Sequence, residues 1–248
     1  MPFDPLPPPL VGARSMNQQW LDITFVHWAV DPALVAPLLP AGARPDVLDG
    51  ATYVGLIPFR MVGAGLGRGP AVPWLGTFLE TNVRLYSVDD QGRHGVVFAS
   101  LEATRLPVVL AARALVGTPY TWARMRASQR GDRWHYDSTR RWPAPRGARS
   151  RMVVEVGDPV ARPTPLADFV TARFGLHTRI AGRTWWIPNT HEPWPLRHAT
   201  LVTLEDELVA AAGFPGLAAT PPASVLHSHG TTTEFGMPRP LPRPPRAR

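Results

Sequence analysis

Phe78-Leu-Glu80-Thr-Asn82-Val-Arg84-Leu-Tyr86 is the stretch of this 248-residue chain whose reading decides the most. At strand period two, Glu80, Asn82, Arg84 and Tyr86 project to one face, and Leu79, Thr81, Val83 and Leu85 to the other. The stretch therefore predicts a β-strand with one apolar and one polar side. Two readings of the polar side stand. A solvated outer face alternates in this way. So does the wall of a cavity, where a carboxylate, an amide, a guanidinium and a phenol converge on a small ligand. In the second reading a neighbouring Glu–Arg pair keeps Glu80 ionised and leaves Arg84 for a carboxylate or enolate oxygen.

The rest of the chain extends the β pattern. Trp20–Trp28, Ala51–Met61, Gly95–Ala103, Pro119–Ser128, Arg133–Ser138, Met152–Val156 and Ser224–Phe235 read as strands. A hairpin is expected over His177–Arg179 and Thr184–Pro188, turning at Ala181-Gly182. Short helices are expected from Asp31-Pro32 to Leu39, from Pro107 to Gly117, over Pro165–Phe174 and over Glu205–Ala212. A Gly-rich loop, Gly63–Pro70, lacks the helix start that a dinucleotide fingerprint requires. Strands outnumber helices without regular alternation, which argues for one α+β domain, mostly antiparallel, over 16–237. The Pro-rich residues 1–15 and the Arg/Pro-rich 238–248 are expected to be unstructured.

Composition removes several chemistries. Every one of the 26 basic side chains is arginine, and there is no cysteine. That excludes a lysine Schiff base, a phosphate-loop lysine, a thiol nucleophile and a thiolate metal site. The net charge is +7, and four of the arginines sit in the last eleven residues with no acid, leaving an ordinary +3 for the remainder. Nucleic acid is therefore not the expected partner. No apolar run is long enough to span a membrane and no signal pattern opens the chain, so a cytoplasmic protein is expected. No G-x-S-x-G elbow is present. His227-Ser-His229 places two imidazoles on one strand face, but a third ligand is not near in sequence, and neither a metal nor a cofactor is expected. Trp185-Trp186 and Trp194 are expected in the core or at a homo-oligomer interface.

Taken together, Trp20–Trp28, Tyr53–Met61, Phe78–Tyr86, Ala112–Met125 and Glu192–Leu196 resemble the YqjF-like bacterial family of unknown function. That family in turn is similar to acetoacetate decarboxylase, whose signature is Arg-Glu-x-x-Gly-x-Pro-Lys-Lys. Here the run is Arg113-Ala-Leu-Val-Gly117-Thr-Pro119-Tyr120-Thr121, with Tyr120 and Thr121 at the lysine positions. The resemblance implies a cone-like closed β-barrel with short peripheral helices around a small pocket. It also implies a pocket glutamate at Glu80. The missing lysines exclude imine chemistry. What the resemblance leaves is Glu80 as acid/base, Arg84 or Arg113 as oxyanion or carboxylate partner and Tyr120 as proton donor. Asn82 and Tyr86 would complete the ligand wall, and His27 would line the pocket mouth. The expected partner is a small molecule, a carboxylate among the candidates. The function is then an acid/base enzyme acting on a small oxo-acid. A non-catalytic binding module and an interaction scaffold with a filled interior are the alternatives.

Overall fold

The computed structural model describes residues 4–242. Its strands are β1 (Arg14–Val30), β2 (Ala43–Pro45), β3 (Thr52–Leu66), β4 (Phe78–Asp89), β5 (His94–Ala103), β6 (Tyr120–Arg130) and β7 (Arg133–Trp142). They continue as β8 (Arg149–Pro159), β9 (Gly175–Ile180), β10 (Arg183–His191), β11 (Leu196–Asp206), β12 (Ser224–Gly236) and β13 (Arg239–Pro240). Four short helices, α1 (Pro32–Val35), α2 (Leu106–Leu115), α3 (Pro165–Thr171) and α4 (Leu208–Ala211), lie between them.

All thirteen described strands belong to one sheet, ordered β13-β10-β9-β5-β6-β7-β8-β11-β12-β1-β3-β4-β2, and the further pairings β4–β5 and β10–β12 return it on itself. Most pairings are antiparallel, as the alternation predicts. β5 is the exception, because it runs parallel to both β6 and β9. The β5–β6 connection is the crossover helix α2, the usual way of joining parallel neighbours. On β4 the register against β5 slips between Val83 and Arg84, where Ala99 is the extra residue opposite. The slip is a bulge, which increases local twist and re-aims side chains.

Local chemistry explains the elements. Asp31 accepts from the Ala33 amide at 2.8 Å and Pro32 follows it, so α1 starts where its orphan donors are met. Ala181 and Gly182 both have positive φ (48° and 75°), the two-residue turn that matches strand twist between β9 and β10. Thr164 Oγ1 accepts from the Ala167 amide at 3.1 Å and caps α3. Thr164→Ala should cost about 1 kcal/mol, a fall of about 2–4 °C in thermal midpoint by circular dichroism.

Four expectations need correction. The expected loop Gly63–Pro70 is shorter: Gly63 and Gly65 belong to β3, which runs to Leu66 and pairs there with Met16, and only Gly67–Pro70 turns. The acids from Glu205 do not begin a long helix. β11 extends through Asp206, whose carboxylate accepts from the Val209 amide to start the four-residue α4. β1 begins at Arg14, inside the stretch expected to be unstructured, and Arg14 Nε binds Glu234 at 2.8 Å, so the guanidinium helps order this end of the segment. After Met237, Arg239–Pro240 pairs with Trp185 and Trp186, and Leu241 is buried, so apolar burial fixes the first residues of the Arg/Pro stretch. Arg243, Arg246 and Arg248 lie outside the described residues. Among the described residues no helix is long and apolar enough to cross a membrane.

Candidate functional site

β4 builds one wall of a cavity of ≈ 690 Å³. Glu80, Asn82 and Arg84 line it from the polar face of that strand, and Tyr120, first residue of β6, joins them. The opposite wall is α2, which presents Pro107, Val108, Ala111, Ala112 and Leu115 from one face. β1 and β10 supply Trp20, Asn189 and His191, the α3–β9 connection supplies Arg173, and Trp194 follows β10. The cavity wall is overwhelmingly apolar, and its polar side chains gather at the buried end. An interior packed solid with side chains, the condition for a pure interaction scaffold, is not what the chain forms.

Glu80 is almost fully buried and accepts from the Tyr120 hydroxyl at 2.8 Å. Burial pushes its carboxyl up to about 7, and hydrogen bonds from Tyr120 and Asn82 offset part of the rise. The same burial, with the Glu80 charge beside it, raises the Tyr120 phenol well above its ordinary range. Tyr120 therefore stays protonated and holds Glu80 by a hydrogen bond. The ionised Glu80–Arg84 pair expected from the sequence does not form among the described residues. Four residues of strand carry the two side chains roughly 13 Å apart at their base. Arg84 instead donates from Nε to the Tyr86 hydroxyl at 3.0 Å and from Nη2 to the Val170 carbonyl. Its guanidinium also lies over the Phe25 and Tyr86 rings at 5.5 and 5.4 Å.

Tyr86 and His27 do not line the cavity. Tyr86 is buried behind Arg84 and donates to the Val170 carbonyl at 2.9 Å. His27 is wholly buried rather than at the mouth, with Nε2 2.6 Å from the Tyr86 hydroxyl. Burial, then the charges of Arg84 and Arg173, hold its pKa well below the ordinary value, so the ring is neutral. Arg113 stands outside the cavity. It donates to the Tyr120 carbonyl at 2.8 Å and covers the Trp142 ring at 5.2 Å, so it clamps the start of β6 from the surface.

The sequence reading missed Arg173 and His191, because each belongs to a segment that otherwise reads as core. Arg173 is buried, donates to the Phe169 carbonyl at 2.6 Å and pairs with Asp46. Burial would raise the Asp46 carboxyl, but hydrogen bonding to His94 and the nearby Arg173 hold it below its usual range. Arg173 also sits 4.9 Å from the Tyr86 ring centroid. Two guanidiniums thus converge on one phenol at the cavity floor. His191 donates from Nδ1 to the Glu192 carbonyl at 2.7 Å, and burial above all brings its pKa to about 4. Trp194, read as packing, stacks on Trp20 at 6.0 Å in the cavity wall.

Two other polar series are structural. Ser87 Oγ, His177 and Asp89 are linked at 2.9 and 3.2 Å, the order of a nucleophile triad. All three are buried, Trp186 lies 4.7 Å from the His177 ring and Ser87 does not line the cavity, so no substrate reaches it. His227 bonds Thr24 at 3.1 Å and stacks on Trp134.

Residues 17–232 match the sequence pattern of DUF2071, described as "Uncharacterized conserved protein". The chain belongs to the DUF2071 family. A relative, "Uncharacterized protein YqjF" of Bacillus subtilis (strain 168), is 29% identical over 188 residues, 76% of this chain and 77% of that one. Among solved structures, the acetoacetate decarboxylase of Legionella pneumophila superposes with a TM-score of 0.65 at 14% identity, over 98% of this chain and 92% of that one. The enduracididine biosynthesis enzyme MppR, complexed with pyruvate, gives 0.64 at 14% identity, over 93% and 91%. This DUF2071 chain therefore shares the mostly β architecture of the acetoacetate decarboxylase-like proteins.

Proposed function

We propose that the chain is a lysine-independent acid/base enzyme, a cytoplasmic protein whose returning sheet forms a cone-like closed barrel around an oxo-acid pocket. The observation that carries this reading is Glu80. It lies at the floor of the cavity with a carboxyl near pH 7, so both protonation states are populated at neutral pH. The chemistry consistent with that floor is enolisation. Glu80 takes a proton from the carbon next to the substrate carbonyl, and the C–H electron pair becomes the C=C bond of an enolate. Arg84, with Arg173 beside it, faces the substrate carboxylate or the enolate oxygen. Tyr120 keeps Glu80 aimed, and the proton returns from Glu80 to carbon or, after rearrangement, to oxygen. No lysine is needed at any step. A small carboxylate as ligand accords with the pyruvate found in the MppR complex.

The test is proton exchange. In D2O, the wild-type chain should accelerate deuterium uptake at C3 of 2-oxohexanoate, followed by proton NMR. Glu80→Gln should lower that rate about 10²–10⁴-fold. Uptake at the buffer rate with the wild type would remove the enzyme reading. The second reading, a non-catalytic binding module, is favoured by the tyrosine that stands where the related decarboxylase has its imine-forming lysine. Saturable binding without exchange would decide for it.

A further inference from the structure

The cavity is too large and too apolar for a pyruvate-sized occupant. A water-sized group takes roughly 30 Å³ of liquid volume, so ≈ 690 Å³ has room for some twenty such groups. Pyruvate would fill roughly a third or less of that space. The polarity is also graded along the cavity. Glu80, Asn82 and Arg173, at the closed end, are 2%, 6% and 3% exposed. Leu66 and Leu115, at the mouth, are 76% and 74% exposed. Between them run Ile57, Phe59, Met61 and Leu101, all buried and apolar.

We infer that the ligand is an amphiphile: a monocarboxylate with an apolar tail of medium length, its head at Arg84 and its tail reaching past α2 to the Leu66–Leu115 mouth. Three observations place the head. No carboxylate pairs with Arg84 among the described residues, whereas Arg173 has Asp46. Asn82 Oδ1 is buried at the floor without a hydrogen-bond partner, which calls for an O–H donor such as an enol or hydroxyl on the head. Glu80, on the same strand face beyond Asn82, is the proton carrier. The tail is placed by burial alone, since each methylene drawn from water into this wall strengthens binding about three- to fourfold. The inference rests on reading the Glu80–Arg84 end as the reacting end, and the following experiment separates the two.

Calorimetric titration of the full chain with pyruvate, 2-oxohexanoate, 2-oxooctanoate and 2-oxodecanoate reads the tail. Affinity should rise several hundredfold between pyruvate and 2-oxooctanoate, on the order of the per-methylene gain compounded. Ala112→Trp, which fills the α2 side of the cavity, should abolish that rise, so that 2-oxooctanoate binds no more tightly than pyruvate. Ala111→Trp, one residue away on the same helix, serves if the first variant misfolds. Arg84→Met should weaken 2-oxooctanoate about ten- to a hundredfold. Octylamine, with the opposite head charge, should not bind. Flat affinity along the series, a length dependence that survives both tryptophan variants, or equal binding of octylamine overturns the inference. The Glu80 reading has its own signal, deuterium uptake, and falls without touching the tail inference if exchange is absent while binding persists.

Discussion

Glu80→Gln should make the protein more stable at pH 8, by about 3 kcal/mol, and leave it nearly unchanged at pH 4.5. A carboxyl raised from 4.5 to about 7 by burial binds more protons in the folded than in the unfolded chain. Ionising it therefore costs stability, with none of the cost present below 4.5 and all of it present above about 7. Glutamine is neutral at every pH, keeps an oxygen for the Tyr120 hydroxyl and lacks the cost. For a chain of this length the gain corresponds to a rise on the order of 5–10 °C in thermal midpoint. His191 and His227 produce the opposite slope on the acid side. Burial lowers both from 6.5 to about 4, so the stability they contribute is complete above pH 6.5 and lost as pH falls toward 4. Between pH 4.5 and 7 the two effects oppose each other in the wild type, so its stability should rise gently and stay flat above about 7. The variant, which keeps only the histidine effect, should rise more steeply over the same range. Urea titrations followed by tryptophan fluorescence across pH 4–9 read the difference in slope. Parallel curves for the two proteins would mean that Glu80 is well solvated, and the acid/base proposal would lose its physical basis.

Period-two alternation made β4 legible because three of its four polar side chains do point into one space. What the pattern could not carry is depth. It placed Tyr86 among the ligand contacts, whereas its hydroxyl lies behind Arg84 and donates to the Val170 carbonyl of α3. It paired Glu80 with Arg84 by adjacency, although strand rise keeps them apart. Arg173, Asn189 and His191 come from segments whose own patterns read as core, and the return of β10 onto β12 helps set Asn189 and His191 in the cavity wall. β11 went unseen because its residues are mostly half-exposed and its terminal acids resemble a helix start. The resemblance to the decarboxylase reached the Arg-to-Pro run of the α2–β6 segment, yet it could not say that Arg113 faces outward.

Replacing Arg140 by methionine should cost about 3–5 kcal/mol in urea unfolding, because it leaves a charged partner buried alone. Glu102 is fully buried on β5 and Arg140 nearly so on β7, with Nη2 2.5 Å from Oε1 and Nε 3.2 Å from both carboxylate oxygens. Thr121 donates a further hydrogen bond to the same carboxylate. In the resemblance read from the sequence, Thr121 falls on the second of the two signature lysine positions. Strand alternation sends it to the opposite side of β6 from Tyr120, so the ion pair grips the strand just behind the residue that aims Glu80. The double variant Glu102→Leu/Arg140→Met removes both charges together. It should recover to within about 1–2 kcal/mol of wild type, the residue being the orphaned Thr121 hydroxyl. If the pair only stabilises, the recovered double variant will exchange deuterium into 2-oxohexanoate at the wild-type rate. If it also fixes the register of Tyr120, the double variant will be stable but slow, and Thr121→Val alone will reproduce part of the loss. A cost below about 1 kcal/mol for Arg140→Met would mean that water reaches the pair, and the grip on β6 would then have to come from the backbone ladder.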